Sequence, residues 1–169
     1  ALMDVVLRGQ GRLVHQSIIG PEWAQYDDLN DYAYDPEKAK ALLAEAGWDA
    51  EQEITLIYEQ GNQAVELCAP VVQQQFAEAG IKLALSPLEE EAFEALVVED
   101  ADFDLAWFGG GAYGLDPDVS STYYATANWT PNGGNTTHYS NAELDELFAA
   151  GRSTSDVAER TEIYHTAAR

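Results

Sequence analysis

The sequence predicts an α/β fold: a largely parallel sheet flanked by helices. Three short runs rich in aliphatic and aromatic residues, at 53–58, 81–86 and 103–108, read as strands. The segments between them, 62–79 and 89–99, place apolar residues at helical spacing. A strand–helix–strand crossover of that length joins its strands parallel and in the right-handed sense. With 169 residues, inside the ~100 to 200 typical of one domain, the chain is expected to form one core, and 1–169 is read as a single α/β lobe.

In chain order, Leu2, Val5, Val6 and Arg8 sit at helical spacing before Gly9, so the chain is expected to open on the tail of a helix. Residues 9–33 hold Gly9, Gly11, Gly20 and Pro21 with no sustained period, and read as a long connection. The clearest helix spans 34–48. Asp35 can cap its free amides, Pro36 suits the first helical position, and Glu37 complements the positive end of the dipole. Ala39, Leu42, Leu43 and Ala46 make the stripe expected to be buried, and Gly47 can take the left-handed closing conformation.

The strand at 53–58 leads to a helix from about Asn62 to Ala79, in which Pro70 removes one backbone bond and predicts a kink rather than a break. Gly80 turns the chain into the strand at 81–86, and the helix at 89–99 should turn Phe93, Leu96 and Val97 inward. After the third strand come Gly109, Gly110, Gly111 and Gly114, then Asp116-Pro117-Asp118, which can start a short helix. A polar stretch studded with aromatics runs to Tyr139. Two helices follow, the first opened by a capping box at Ser140 and Glu143 and closed by Gly151, the second opened by Asp156 with Glu159 three residues on. The first residues are neither an initiator methionine nor a signal peptide, and the last helix has no stop signal, so the chain reads as cut from something longer.

Composition excludes several classes. Leu, Ile, Val and Phe number 37, near the level below which charged chains stay disordered, so order rests on the pattern above. Thirty Asp and Glu against 8 Lys and Arg give a net charge of −22. Such a field repels phosphates and anionic lipids, so no nucleic-acid partner is expected, and no apolar run reaches the ~18 residues of a membrane span. The single cysteine, Cys68, rules out an internal disulfide and any two-thiol motif. His15, His138 and His165 are scattered without the spacing of metal ligands.

The glycine run GGGAYG at 109–114 matches the dinucleotide fingerprint after a strand, but Pro117 and a polar loop stand where the phosphate-binding helix and next strand belong. Asp100, Asp102 and Asp104 have the spacing that begins a calcium loop, but Leu105 replaces its turn glycine. Asp116 and Asp118 are read as a helix start before an acid–base pair. The sequons at Asn128 and Asn135 matter only in a eukaryotic secreted chain. No catalytic residue, metal ligand or cofactor is assigned. What remains is positional: ligands of open α/β sheets bind beyond the carboxyl ends of the strands, which is where Trp107 to Asp118 falls. Trp107, Phe108 and Tyr113 offer flat apolar faces, Gly109, Gly110 and Gly111 allow close approach, and Asp116 is the nearest carboxylate. Those seven residues are the candidate ligand contacts. Trp107 and Phe108 could equally point into the core on opposite faces of the sheet.

Four segments carry a resemblance to a known family. They are YDPEKAKALLAEAG at 34–47, VQQQFAEAGI at 72–81, FDLAW at 103–107 with its glycine loop and DPD at 116–118, and YSNAELD at 139–145 running on to Glu159, Arg160 and Tyr164. In order and spacing the chain resembles the family 5 extracytoplasmic solute-binding proteins of ABC importers, which take up dipeptides, oligopeptides and nickel. The resemblance implies most of the second lobe of a class II periplasmic-binding-protein-like molecule about three times as long. The first lobe, hinge strands and lipoprotein signal would lie outside this sequence.

It further implies a monomer outside the cytoplasm, in the periplasm or anchored on the outer surface of a prokaryote. There it would capture a small solute, foremost a peptide, and hand it to a membrane permease. In peptide-binding relatives an aspartate beyond the Phe-Asp strand holds the ligand's ammonium. Here Tyr113 falls near that position and Asp116 is three residues later, so oligosaccharides and small metal chelates stay open as ligands. Two other classes also stay open: a nucleotide-dependent oxidoreductase using the 109–114 loop, and an acidic domain that docks a basic partner.

Overall fold

The computed structural model describes residues 21–26, 28–29, 32–108 and 116–169, together with Leu2, Val6, Arg8 and Gly9. The expected helix at 1–8 and most of the connection at 9–33 lie outside the described residues. The chain divides into two compact units: residues 1–13, 32–97 and 102–109, and residues 14–31, 98–101 and 110–169. Length predicts one core, whereas the described residues form two hydrophobic clusters, one in each unit.

The first unit opens with α1, Pro36–Glu45, capped by the Asp35 carboxylate, which accepts the Lys38 N–H at 2.9 Å. Gly47, at φ 70°, ends it: the Gly47 and Trp48 amides donate back to the Ala44 and Leu43 carbonyls, the double bond of a Schellman stop. The expected buried stripe is a correction. Ala39 and Leu43 are only half-buried, Ala46 is exposed, and Leu42 is 55% exposed, because no described element lies over that flank of the helix.

Strand β1 (Glu53–Glu59), helix α2 (Gln63–Glu78) and strand β2 (Lys82–Leu88) form the expected unit. Asn62 caps α2, which runs unbroken through Pro70. A short helix α3 (Glu90–Glu94) continues as a π-helical stretch, Ala95–Asp100, burying Phe93 and Val97 as the periodicity predicts, with Leu96 half-buried. Strand β3 (Leu105–Trp107) is half the predicted length because Asp104 leaves the ladder: its carboxylate accepts the Thr55 N–H at 2.9 Å in place of a backbone carbonyl. The sheet order is β2-β1-β3, both pairings parallel. One face is closed by Val65, Ala69, Val72 and Phe76 of α2 against Leu56, Tyr58 and Leu83. Ile57, which strand alternation turns to the other face, is buried too, and α3 packs against β1.

In the second unit, Asp116 opens a 3-10 turn, Pro117–Ser120, which runs into one turn of helix, α4 (Ser121–Tyr124). Two helices finish the chain: α5 (Ala142–Ser153), capped by Asn141, and α6 (Val157–Ala168), capped by Asp156. Two expectations are corrected here. The cap of α5 is Asn141, which accepts the Leu144 N–H at 3.2 Å, while Ser140 faces the Thr126 hydroxyl at 3.0 Å. Gly151 lies inside α5 rather than ending it, because it is where fully buried Tyr164 of α6 crosses: a Cβ there would sit 2.5 Å from the Tyr164 oxygen and 2.7 Å from Cζ. Phe148, Tyr164, Ala24 and Ala125 form this unit's core.

The crossing predicts the sign of a substitution that helix propensity would reverse. Gly151→Ala gains about 1 kcal/mol of propensity, but forcing a methyl into a closed contact costs about 1–3 kcal/mol. Urea unfolding should therefore show a net loss of about 1 kcal/mol, and Gly151→Val a larger one; a rise in midpoint for Gly151→Ala would show that the helices are not in contact there.

Candidate functional site

At the carboxyl edge of the sheet in the first unit, β1–β3 pairing sets Trp107 beside Tyr58 and Leu105 beside Leu56. Side chains paired in a parallel sheet share a face, so Trp107 joins the α2-side cluster. Phe108, one residue on, is 45% exposed, its ring tilted against Phe93 at 5.9 Å. Leu56, Val72, Leu105, Ala106, Trp107 and Phe108 line a recess of about 370 Å³. Among the described residues its lining is apolar apart from backbone groups and the Trp107 indole. Gly109, Gly110, Gly111 and Tyr113 lie outside the described residues.

Asp116 belongs to the second unit, and its carboxylate is engaged. Its Oδ1 accepts the Asp118 N–H at 2.9 Å and the Arg160 guanidinium at 2.6 Å. The Arg160 hydrogen bond, reinforced by the Asp118 amide, holds the carboxyl below the usual aspartate range against a smaller desolvation effect. Arg160 is itself largely buried, over the rings of Trp23 at 5.7 Å and Tyr164 at 5.4 Å, and Asp116 holds it firmly charged. Asp118 is taken up in the same way: Arg152 donates to both of its oxygens at 3.1 and 3.3 Å, and the Tyr164 hydroxyl donates at 3.2 Å. Burial pushes the Tyr164 phenol up, which keeps it a donor. Two aspartates each matched to an arginine cannot trade a proton between them as acid and base. Their role is to fix the turn that follows the glycine loop.

The stretch at 119–139 is organised by one side chain. Asn135 is fully buried; its Nδ2 donates to the Ala125 carbonyl at 3.2 Å and the Tyr139 carbonyl at 2.9 Å, and its Oδ1 accepts the Tyr139 N–H at 3.1 Å. Around it Trp129 stacks on His138 at 5.0 Å and donates its indole N–H to the Tyr139 carbonyl at 2.8 Å, while Tyr139 meets Tyr124 edge-on at 6.5 Å. Trp129 and Tyr139 remain partly exposed. Among the described residues no group of three or more His, Cys, Asp or Glu side chains gathers as a metal site, and no helix is long and apolar enough to cross a membrane.

With this geometry in view, comparison with known proteins is decisive. Residues 1–132 match the model of the bacterial extracellular solute-binding proteins, family 5. The chain belongs to that family. It is 29% identical over 155 residues to the glutathione-binding protein GsiB of Escherichia coli K12, covering 89% of this chain and 30% of that protein. It therefore spans about a third or less of the length of such relatives. Its fold matches the oligopeptide-binding protein AppA of Bacillus subtilis, solved in complex with a nonapeptide, with a TM-score of 0.81 at 28% identity, covering 99% of this chain and 36% of that one. A putative peptide-binding protein AppA from Clostridium difficile gives 0.82 at 28% identity, with coverage of 99% and 34%. All three relatives are binding proteins by name.

Of the seven sequence-predicted contacts, Trp107 and Phe108 line one recess in the first unit, and Asp116 is part of an ion-paired network in the second. From sequence, Arg160 and Tyr164 enter only as residues that carry the family resemblance, and Arg152 not at all. The available signal was scarcity: with 8 Lys and Arg among 30 acids, a cation one helical turn from a tyrosine is placed at some cost and points to a partner.

Two outcomes follow. Asp116, with its folded pKa depressed, stabilises the fold above the ordinary aspartate pKa of about 3.9, and that contribution is lost as pH falls through the lower folded value. A carboxyl NMR titration should find Asp116 below the ordinary range, and Arg160→Gln should return it there; an unmoved value would mean that Arg160 does not hold the carboxylate. Asn135→Ala, which takes the partner from the Tyr139 N–H and one of two donors from each of the Ala125 and Tyr139 carbonyls, should cost about 1–3 kcal/mol, and Asn135→Asp no less, because a carboxylate cannot donate to the Ala125 and Tyr139 carbonyls. Denaturant unfolding that stays within about 0.5 kcal/mol of the parent would remove Asn135 from that role.

Proposed function

We propose that this chain is part of the substrate-binding component of an ABC importer. It takes an oligopeptide or similar small solute in a cleft between two lobes and presents it to a membrane permease on the outer side of a prokaryotic membrane. The observation that carries the reading is the family match over residues 1–132, joined by likeness to a fold solved with a nonapeptide bound. The chemistry within each unit agrees: an apolar recess ending in an exposed ring in the first, and aspartates each ion-paired to an arginine in the second, suit capture without bond making. The first described elements after residues 109–114 are a four-residue 3-10 turn and one turn of helix, a poor seat for a pyrophosphate.

Trp107, Phe108, Gly109, Gly110, Gly111, Tyr113 and Asp116 are proposed to border the solute, with 1–169 as most of one lobe of a monomeric protein. Asp116 contributes through the turn it caps rather than as a free charge. If a micromolar solute's roughly −8 kcal/mol divides evenly between two lobes, one lobe alone binds at about millimolar.

Native mass spectrometry of the full-length protein tests the reading. A ladder of retained peptide masses is the expected result; one discrete sugar or metal-chelate mass would change the solute but keep the carrier, and a stoichiometric dinucleotide would overturn it. Phe108→Ala should weaken solute retention about tenfold, the cost of losing one exposed interface ring, with little change in thermal stability. Unchanged retention would take Phe108 out of the site.

A further inference from the structure

Strand β3 is three residues long, and its register on β1 decides what the recess presents. In the observed pairing Leu105 lies beside Leu56 and Trp107 beside Tyr58, on the α2 side, while the Phe108 ring rests against Phe93 of α3. A one-residue slip of a strand sends every side chain to the opposite face, and the cost of turning polar residues inward ordinarily forbids it. Here Leu105, Ala106, Trp107 and Phe108 are all apolar. Both faces of β1 are covered as well, Leu56 and Tyr58 in the α2-side cluster and Ile57 on the α3 side. Sliding β3 so that Ala106 meets Leu56 and Phe108 meets Tyr58 would keep apolar on apolar throughout. The opposite slip sets Asp104 beside Leu56 and buries a carboxylate, at a high desolvation cost. The hydrophobic pattern therefore forbids one slip and permits the other.

A side chain outside the ladder closes the permitted route. Asp104, immediately before β3, accepts the Thr55 N–H on its Oδ2 at 2.9 Å, and Thr55 immediately precedes Leu56, the first residue of β1 paired with β3. A hydrogen bond to a carboxylate is charge-assisted and stronger than one between neutral groups. The permitted slip would carry that carboxylate about 3.3 Å along the strand, one residue's rise, and break the bond. Asp104 is exposed, so it holds the amide at little desolvation cost.

We propose that Asp104 is a positioning residue: its hold on the Thr55 amide pins the register of β3 and thereby sets Trp107, rather than Phe108, on the α2 side of the recess. The register assignment goes beyond the proposed function, and its consequence for solute binding rests on that reading.

Amide hydrogen exchange and NMR on the full-length protein test it, with Asp104→Ala and Asp104→Asn beside the parent. In the parent the Thr55 amide should exchange at least about tenfold slower than in the unfolded chain; an unprotected amide overturns the proposal with no substitution made. In Asp104→Ala that protection should fall about tenfold, the worth of one hydrogen bond to a charged group. Contacts between the Trp107 indole and the Val72 methyls, which line the same recess, should be lost with it. Asp104→Asn keeps an acceptor oxygen and should match the parent in both. The parent and Asp104→Asn readouts apply even where Asp104→Ala does not fold. Trp107–Val72 contacts at parent intensity in folded Asp104→Ala would overturn the proposal, as would an Asn variant that behaves like the Ala variant. Solute retention in native mass spectra is the separate arm, with a loss of about tenfold expected in Asp104→Ala. A displaced Trp107 with retention unchanged would uphold the register assignment and remove the recess from the proposed function.

Discussion

Tyr164 is the contact on which the second unit turns. Its ring is fully buried where α6 crosses α5, and the helices can approach only because residue 151 has no side chain. The hydroxyl, which itself lies against Gly151, bonds with Asp118, Arg160 and, through Asp118, Arg152. One phenol thus joins three elements: the helix pair by packing, and the Asp116–Asp118 turn by hydrogen bonding. Burying an aromatic ring contributes about 2–3 kcal/mol, and here it also sets the distance at which two arginines meet two aspartates. Those ion pairs are partly exposed and add little stability singly. Their value is positional, since they hold the Asp116–Asp118 turn in place.

The two units express opposite strategies for the same end. In the first, a parallel sheet positions Trp107 and Phe108 through backbone register, so the recess inherits the stiffness of a buried ladder. In the second, where no sheet is present among the described residues, a polar side chain replaces it: Asn135 supplies two donors and an acceptor, enough to close the 125–139 segment on itself. Within that closed segment Trp129 stacks on His138, and Trp129 and Tyr139 stay partly exposed.

What could be read from the sequence was what is local. Caps at Asp35, Asp116 and Asp156 are decided within three residues, and each was legible. The parallel sheet was legible because a helical crossover leaves few alternatives. Residues whose role depends on a distant partner were not. Ser140 and Asn141 both satisfy a capping pattern, and Thr126 decides between them by engaging Ser140. Gly151 looks like a stop until Tyr164, 13 positions on, lies against it. Of the site, the aromatic edge at Trp107 and Phe108 was legible from strand position, whereas the neutralisation of Asp116 was not, because Arg160 is 44 residues away.

The burial of Asn135 has a practical consequence for making the protein. Asn135-Thr136-Thr137 is an acceptor for N-linked glycans, and both amide hydrogens of Asn135 are spent on carbonyls in a site closed to solvent. A secretory pathway that glycosylates during synthesis meets this asparagine before the loop closes. Attaching a sugar consumes one of the two hydrogens and leaves a bulky group where no volume exists. Bacterial expression, or Thr137→Ala in a yeast or mammalian host, avoids a modification that the folded protein could not accept.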